Sequence, residues 1–440
     1  MKILPTIGPA SDDLKSLKKI LNYCQIVRIN ASHNTIEWHK KTINKILSLN
    51  PKISILLDIP GVKPRTDNKN IIKIKKNDIV KFSYNKNKNF IKITKPLPKN
   101  TIKIKYFSLD DGKYSFKLLK YSNDKLIGKS QQNCKILPRK GINIPGSIYD
   151  NKLQKKNYIK FLNYFKKTKV NLIGLSFVQD SNLIKYLKKK YPNLLFVSKI
   201  ENIEGLKNSE NICKNSDAVM IDRGDLSAEV GNEILFKSIN KIAQSAKSSG
   251  KPLIMATENL ESLSNDFSIK KNDIVSLGFS AQINSDIIML SEETALSKNS
   301  YKIIKWLHNF IKNQNIIKKN TVKENIFWDT INLIKNHPIV IFTKKGLMFD
   351  KIFQKNINNN IFVFTDTHKT YSLAKFYKNA ICIKTKKFDN SNIGKFYQEN
   401  IKRNKKIIFK KSNNAFLITI SFPKKGSVAN TLTFINKKDF

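Results

Sequence analysis

The sequence predicts an α/β fold: a parallel (β/α)8 TIM barrel with an inserted small β-barrel lid domain and a C-terminal α/β domain. Three observations predict it. Eight short apolar runs alternate with amphipathic helical stretches up to about residue 315. One long interruption, from Thr66 to Lys140, reads as strands and turns with no long helix. A second alternation of apolar runs and helices begins after about Lys318. Strands of a parallel sheet covered on both faces are continuously apolar, and eight such βα units suffice to close a barrel.

In order, the strand-like runs are Ile3–Ile7, Ile26–Asn30, Ile53–Asp58, Leu172–Ser176, Leu195–Lys199, Ala218–Asp222, Leu253–Thr257 and Ile287–Ser291. Helical periodicity fills most gaps, as in Leu14–Tyr23, Thr35–Leu47, Asn151–Phe165, Asn182–Lys190, Glu233–Ser248, Asp273–Gln282 and Tyr301–Ile311. The interruption contains IIKIKKNDIVKFSYN and NTIKIKYFSLDDGKYSFKLL, which suit a hinged β domain over the barrel mouth. The last segment runs PIVIFT, helix, NIFVFTD, helix, AICIKT, helix, then KKIIFK, AFLITIS and TLTFINK as further strands. The expected division is therefore 1–65 with 141–317 for the barrel, 66–140 for the lid and 318–440 for the C-terminal domain.

Composition narrows the classes of function. The chain has 440 residues, 81 of them Lys or Arg, and a net charge of +48. A nucleic-acid binder would gather such charge into a patch or stripe, whereas these lysines run from end to end and rise together with Asn and Ile. Drift in an A+T-rich, reduced genome accounts for that pattern, leaving only non-specific, salt-sensitive contact with nucleic acid. Cys24, Cys134, Cys213 and Cys382 are scattered singly, with neither metal-ligand spacing nor a disulfide framework. No apolar run approaches a membrane span. MKILPTIGPASDD is too short and broken for a signal peptide and reads as a first strand, so the expected location is the cytoplasm.

Only five arginines remain in this lysine-rich chain, and Arg28, Arg65, Arg139 and Arg223 each sit in a motif; Arg403 does not. Arg persists where a planar fork must grip an anion with two parallel hydrogen bonds. The four therefore point to an anion site, with buried arginine–carboxylate pairs as the competing structural explanation. Polar residues cluster at predicted strand ends, where a parallel barrel keeps its chemistry: Asn30, Asp58, Lys199, Asp225, Thr257 and Ser291. Glu201 and Asp225 at adjacent strand ends can share Mg2+, with Lys199 beside them to neutralise a transferring phosphoryl group. Arg28, Asn30 and Ser32 alternate and so face one way, while Asp58 and Arg65 add an acid and a cation. Thr257, Ser291 and Glu293 can relay a proton or order water, although Ser and Thr also cap helices.

Taken in order, these segments resemble the pyruvate kinase family. PTIGPAS, IVRINASH, LLDIPGVKPRT, LDDG, PRKGINIPG, LSFV, VSKIEN, DRGDL, PLIMATENLES, IIMLSEETA and SVANTLTFI carry the resemblance along essentially the whole chain. It implies phosphoryl transfer from phosphoenolpyruvate to ADP, giving pyruvate and ATP, by a cytoplasmic homotetramer. In that reading Arg28 and Lys199 hold the phosphoryl group, and Glu201 and Asp225 bind Mg2+. Gly224, Asp225 and Thr257 receive the substrate carboxylate, and Thr257, Ser291, Glu293 and water are candidates for protonating the enolate. Asn30, Ser32, Asp58 and the Ile59 carbonyl form a K+ site. Arg65 and Lys140 meet nucleotide phosphates, with His33 and Asn30 nearby.

Departures from the family pattern shape further expectations. Lys63 stands where the family usually has Glu, and its charge can replace potassium, so weak or absent K+ dependence is expected. Asp222 replaces a small residue beside the substrate carboxylate, which adds a like charge. Ser227 and Glu292 replace glycines, Glu258-Asn259 replaces Gln-Met, and the following Pro-Thr-Arg is missing. The effector loop is reduced to Thr343-Lys344-Lys345-Gly346-Leu347, so altered regulation is expected. The alternatives are a Mg2+-dependent aldolase or lyase, a catalytically impaired relative, or a basic nucleic-acid-binding protein.

Overall fold

The computed structural model describes residues 1–440 except 86–88, 101–103, 123, 265–267, 314–330, 332–336, 355–356, 358, 389–390 and 420–430. Eight parallel strands form the first sheet: β1 (Lys2–Pro5), β2 (Ile26–Asn30), β3 (Ser54–Ile59), β4 (Leu172–Leu175), β5 (Leu195–Ile200), β6 (Ala218–Asp222), β7 (Leu253–Ala256) and β8 (Ile287–Leu290). Each pairs with the next, β8 returns to β1, and a parallel bridge between Thr6 and Arg28 closes the ring. The (β/α)8 TIM barrel is thus present, and all eight predicted runs fall on its strands.

The runs are continuously apolar because each strand is covered twice. Leu4, Leu56, Leu195, Met220, Ile254 and Met289 fill the interior, while the alternate residues meet the surrounding helices. Helix starts follow local capping chemistry: the Asp13, Thr35, Asp150 and Asp180 side chains each accept from backbone amides of the first turn. Three predicted strands, Leu172–Ser176, Leu253–Thr257 and Ile287–Ser291, end one residue early, and the last two matter for the site. Thr257 leaves β7 with φ 58°, and Ser291 leaves β8 with φ −100° and ψ −101°. Both side chains therefore sit on the turns beyond the sheet.

The interruption after β3 carries a six-stranded sheet ordered Ile142–Asn143, Tyr106–Leu109, Tyr114–Tyr121, Lys125–Ser130, Ile79–Ser83, Ile91–Lys92. Phe82, Phe107 and Phe116 form its aromatic centre. A third, five-stranded sheet lies in the C-terminal segment: β9 (Ile339–Phe342), β10 (Ile361–Thr365), β11 (Ala380–Lys384), β12 (Asn414–Thr419) and β13 (Thr431–Asn436). Its order is β11-β10-β9-β12-β13, with only the last pair antiparallel. KKIIFK is a correction: Lys405–Ile408 is a helical turn and not a strand. The two lysines stay in solvent while Ile408 and Phe409 turn into the core, a pattern that one turn satisfies as well as a strand. The expected boundary at 317/318 and Ser427–Asn430 of the closing segment lie outside the described residues.

The C-terminal segment stoppers the barrel floor. Phe376 is fully buried among the interior residues of the barrel. Around it Lys375 Nζ donates to Ser54 Oγ at 3.0 Å, Lys2 Nζ to the Lys375 and Ala380 carbonyls at 2.9 and 3.1 Å, and Tyr377 to the Gly250 carbonyl at 3.1 Å. Among the described residues no helix is long and apolar enough to cross a membrane.

Candidate active site

The C-terminal ends of β2, β3, β5 and β6 converge on Lys199. Its ammonium lies 2.8 Å from Glu201 Oε1, 3.3 Å from Asp222 Oδ2 and 3.4 Å from Asp58 Oδ2, and it is only 5% exposed. Burial alone would discharge it, but Asp58, Glu201 and Asp222 hold its pKa well above the usual lysine value. Arg28 on β2 closes the other side of Asp58, with Nε and Nη2 at 2.9 and 2.8 Å from Oδ2 and Nη1 at 2.9 Å from Thr6 Oγ1. Burial pushes Asp58 upward, yet Lys199 and Arg28 together prevail and hold it below the ordinary carboxylate range.

A second charged group adjoins the first. Lys63, 5% exposed, bonds to Asp225, to Asn143 Oδ1 at 2.9 Å and to Asp111 Oδ1 at 3.4 Å. Asn143 also donates to Asp225 at 3.1 Å. Asp225 is pulled down to about 2: burial opposes the shift, but Lys63 and the Asn143 hydrogen bond outweigh it. Asp111 comes from the lid hairpin, where Asp110, Asp111 and Gly112 all have positive φ. The neighbouring Asp225 carboxylate raises Asp111 to about 6, although the Asp111 side chain is well exposed. The lid thus touches the barrel site directly. These Lys63 contacts are its ion pairs and hydrogen bonds among the described residues; Asn30, Ser32 and Asp58 are not its partners.

One oxygen each of Glu201, Asp222 and Asp225 lies within 4.8 Å of the others. Glu201 is fully buried, its Oε2 takes the Phe177 amide, and its Oε1 accepts no aligned hydrogen bond although Lys199 is close. Burial raises Glu201 to about 8 against the pull of Lys199. Three carboxylates with one under-used oxygen fit a hard divalent cation such as Mg2+. Asp222 is the member that motif reading left outside the metal set.

The remaining expected residues divide. Gly224 N donates to Thr257 Oγ1 at 3.0 Å, and that hydroxyl faces the Ala256 carbonyl at 2.7 Å and Asp222 Oδ1 at 3.3 Å. Asn30 Oδ1 accepts from Ser32 N at 3.0 Å, so Ser32 sits on the turn after β2, beyond the strand alternation expected for it. The Ile59 carbonyl takes the Ser176 amide at 3.3 Å. Arg65 donates to the Arg139 carbonyl at 3.1 Å, and Lys140 pairs with Asp110 of the lid at 2.6 Å. His33 is near this cationic rim; desolvation and then Arg65, Arg28 and Lys140 lower it to about 4, so the ring is neutral. Glu293 turns back to accept the Ser291 amide at 2.6 Å, and burial raises its pKa. Glu292 is exposed, and Ser227 Oγ caps the Gly224 carbonyl at 2.9 Å.

Arg223 corrects the arginine argument. Its donors go to the Ala256 and Thr257 carbonyls, Ser276 Oγ and Asn259 Oδ1, so its fork is taken up in fastening the end of β7. Asn259 explains why that clamp exists: it bridges Arg223 and the Met255 and Met289 carbonyls. Asn143 and Ser176 went unnoticed as site residues. Position is their signal, since Asn143 lies inside PRKGINIPG and Ser176 inside LSFV.

The family model described as "Pyruvate kinase, barrel domain" matches residues 1–303. The pyruvate kinase of Buchnera aphidicola subsp. Schizaphis graminum is 32% identical over 318 residues, covering 68% of this chain and 66% of its own length. That of Thermococcus litoralis is 30% identical over 312 residues, with the same 68% and 66% coverage. Over both full lengths, at 98% of each, the pyruvate kinase of Thermotoga maritima is 24% identical. The ordered motifs, the closed barrel and the lysine–carboxylate centre agree with these matches, and the chain belongs to the pyruvate kinase family.

Proposed function

We propose that this chain is a working pyruvate kinase: phosphoenolpyruvate, ADP and a proton give pyruvate and ATP. The observation that carries the proposal is Lys199, buried, held cationic by Asp58, Glu201 and Asp222 at the mouth of the barrel, with an Asp225 oxygen within 4.8 Å of those of Glu201 and Asp222. A phosphoryl group in flight spreads charge over its oxygens, and a fixed, desolvated ammonium stabilises that charge without reorganising.

Each remaining role follows from what a side chain offers. Arg28 shares the phosphoryl oxygens with Lys199. The Gly224 and Asp225 amides, at the start of the helix Arg223–Val230, suit a carboxylate, and the Thr257 hydroxyl is adjacent. Mg2+, held by Glu201 and Asp225, would neutralise substrate charge. Arg65 and Lys140 present cations to nucleotide phosphates, with Asn30 and His33 beside them. The enolate is protonated by water ordered by Thr257 and Ser291; Glu293 acts through the Ser291 backbone. Asn30, Ser32, Asp58 and the Ile59 carbonyl would take K+ if it is used, and Lys63 relieves the need for it.

We further take 66–140 as the lid, 1–65 with 141–317 as the barrel and 318–440 as the third unit, working in the cytoplasm. A homotetramer is the expected assembly. Phe236 and Val275, 65% and 70% exposed on Asn232–Ser248 and Lys271–Gln282, with Phe236 against Phe279, offer an apolar face for a second copy. Altered regulation remains part of the proposal. The test is pyruvate formation from phosphoenolpyruvate with Mg2+, with and without ADP. Turnover only with ADP supports the kinase; a folded protein inactive under both conditions sinks it, and ADP-independent turnover favours a lyase.

A further inference from the structure

Counting charge in the two adjoining groups singles out Asp222. With all carboxylates ionised, the state in which they could hold a cation, Arg28 and Lys199 face Asp58, Glu201 and Asp222 in the first, which leaves one negative charge in excess. In the second, Lys63 faces Asp111 and Asp225, again leaving one in excess. The two groups meet at the Glu201, Asp222 and Asp225 oxygens. A divalent cation there would cancel both excesses. Without Asp222 the first group is already neutral, and the ion would leave the buried site with surplus positive charge.

The carboxylate of Asp222 is placed between two roles. It is 7% exposed; Oδ2 lies 3.3 Å from Lys199 Nζ, and Oδ1 lies 3.3 Å from the Thr257 hydroxyl, whose nearer acceptor is the Ala256 carbonyl at 2.7 Å. Neither contact is short for a charged partner. Glu201 is fully buried, its Oε1 accepts no aligned hydrogen bond although Lys199 Nζ is 2.8 Å away, and one of its oxygens lies within 4.8 Å of one from Asp222. We propose that Asp222 is a third carboxylate ligand of the divalent cation, exchanging Lys199 for the ion when the ion binds. Until then its carboxylate, 3.3 Å from the Thr257 hydroxyl, keeps a negative charge beside the place a substrate carboxylate needs. Cation binding neutralises that charge, and the ion precedes the substrate. The order of binding rests on the kinase reading; the ligand role does not.

The experiment is Mn2+ binding to the full chain, without substrate, followed by the electron paramagnetic resonance signal of free Mn2+. Asp222→Asn keeps the shape and the Thr257 contact while removing the charge. The expected result is a rise of about tenfold or more in Mn2+ Kd, with melting temperature preserved. Asp222→Glu, which restores a carboxylate, should recover most of the affinity even if Asp222→Asn folds poorly. Glu201→Gln should weaken the same ion. The ligand role is overturned if the Asp222→Asn Kd stays within twofold of wild type, if Asp222→Glu behaves like Asp222→Asn, or if wild type binds no Mn2+. Failure of the kinase reading is separate: wild type would bind Mn2+ and still form no pyruvate. In an active enzyme, wild-type KM for phosphoenolpyruvate should fall steeply as Mn2+ rises, and much less so in Asp222→Asn. Equal dependence in both would overturn the binding order.

Discussion

Two lysines at opposite ends of the barrel are equally buried and oppositely treated. Lys199 at the mouth is 5% exposed and Lys375 at the floor is 4% exposed. Lys199 faces three carboxylates, and its pKa is driven up. Lys375 donates to the Lys52 carbonyl and Ser54 Oγ, lies over the Tyr371 ring and pairs with no carboxylate among the described residues. Burial lowers it to about 8. Partners, not depth, decide whether a buried amine stays charged. The mouth spends carboxylates to keep a cation fixed; at the floor, where the C-terminal segment docks, hydrogen bonds and apolar packing suffice.

The largest expected effect comes from breaking the mouth. Lys199→Met should lower turnover by about a thousandfold or more, the scale of losing a preorganised charge partner in the transition state. It also leaves Asp58, Glu201 and Asp222 under-compensated, at a cost of roughly 3–5 kcal/mol in stability. Lys375→Met should leave turnover within about twofold and stability near or above wild type, since the hydrogen bonds it loses are offset by removal of a buried charge that nothing balances. Parallel assays and melts of the two variants check the contrast. Equal losses of activity would erase the distinction between mouth and floor.

Next in size is the stopper itself. Phe376 is fully buried against interior residues of the barrel, and Phe376→Ala should destabilise by about 3–5 kcal/mol through a cavity at the floor. KM for phosphoenolpyruvate should hardly move, because the site is built from the opposite strand ends. Chemical denaturation together with initial rates separates the two effects.

A smaller effect follows from the titration of Lys375. Its folded pKa of about 8 lies below the ordinary lysine value of 10.5. Between those values the unfolded chain binds more protons, so stability should rise with pH, by at most roughly 3 kcal/mol for this group. Below pH 8 the penalty is complete and the slope from this group vanishes. Melting curves between pH 7.5 and 10 should show the rise in wild type and lose that portion in Lys375→Met; identical slopes in both would refute it.

Much of this contrast could be read before any coordinates. Covered parallel strands are apolar throughout, so the barrel was legible, and strand ends located Lys199, Glu201 and Asp225. Long-range pairing was not. Nothing local to Arg223 reveals that its donors meet carbonyls at the end of β7. Nothing near Phe376 reveals an insertion from a distant segment. KKIIFK failed because a four-residue turn and a short strand bury the same two side chains. Asp222 was recognised as a charge but not as a neighbour of both Glu201 and Asp225, because separation within a barrel is set by register and not by sequence spacing.

Lys63 tests the same rule with the smallest expected effect. At the mouth a buried amine is kept charged by carboxylates, and Lys63 obeys: Asp225 and Asp111 outweigh burial and raise its pKa. Its ammonium faces Asp225 and not Asn30, Ser32 or Asp58, so it does not fill the expected potassium position. It can still replace potassium electrostatically, because without its charge Asp111 and Asp225 would carry two uncompensated negative charges in place of one. Wild-type rates in sodium-free buffer should therefore change by less than about twofold on adding K+, since a further exposed cation gains little beside a buried one. Lys63→Gln, which keeps a hydrogen-bonding group but drops the charge, should become more responsive to K+ than wild type. A strong potassium requirement in wild type would show that charge balance is insufficient and that an ion must sit at Asn30 and Asp58 itself.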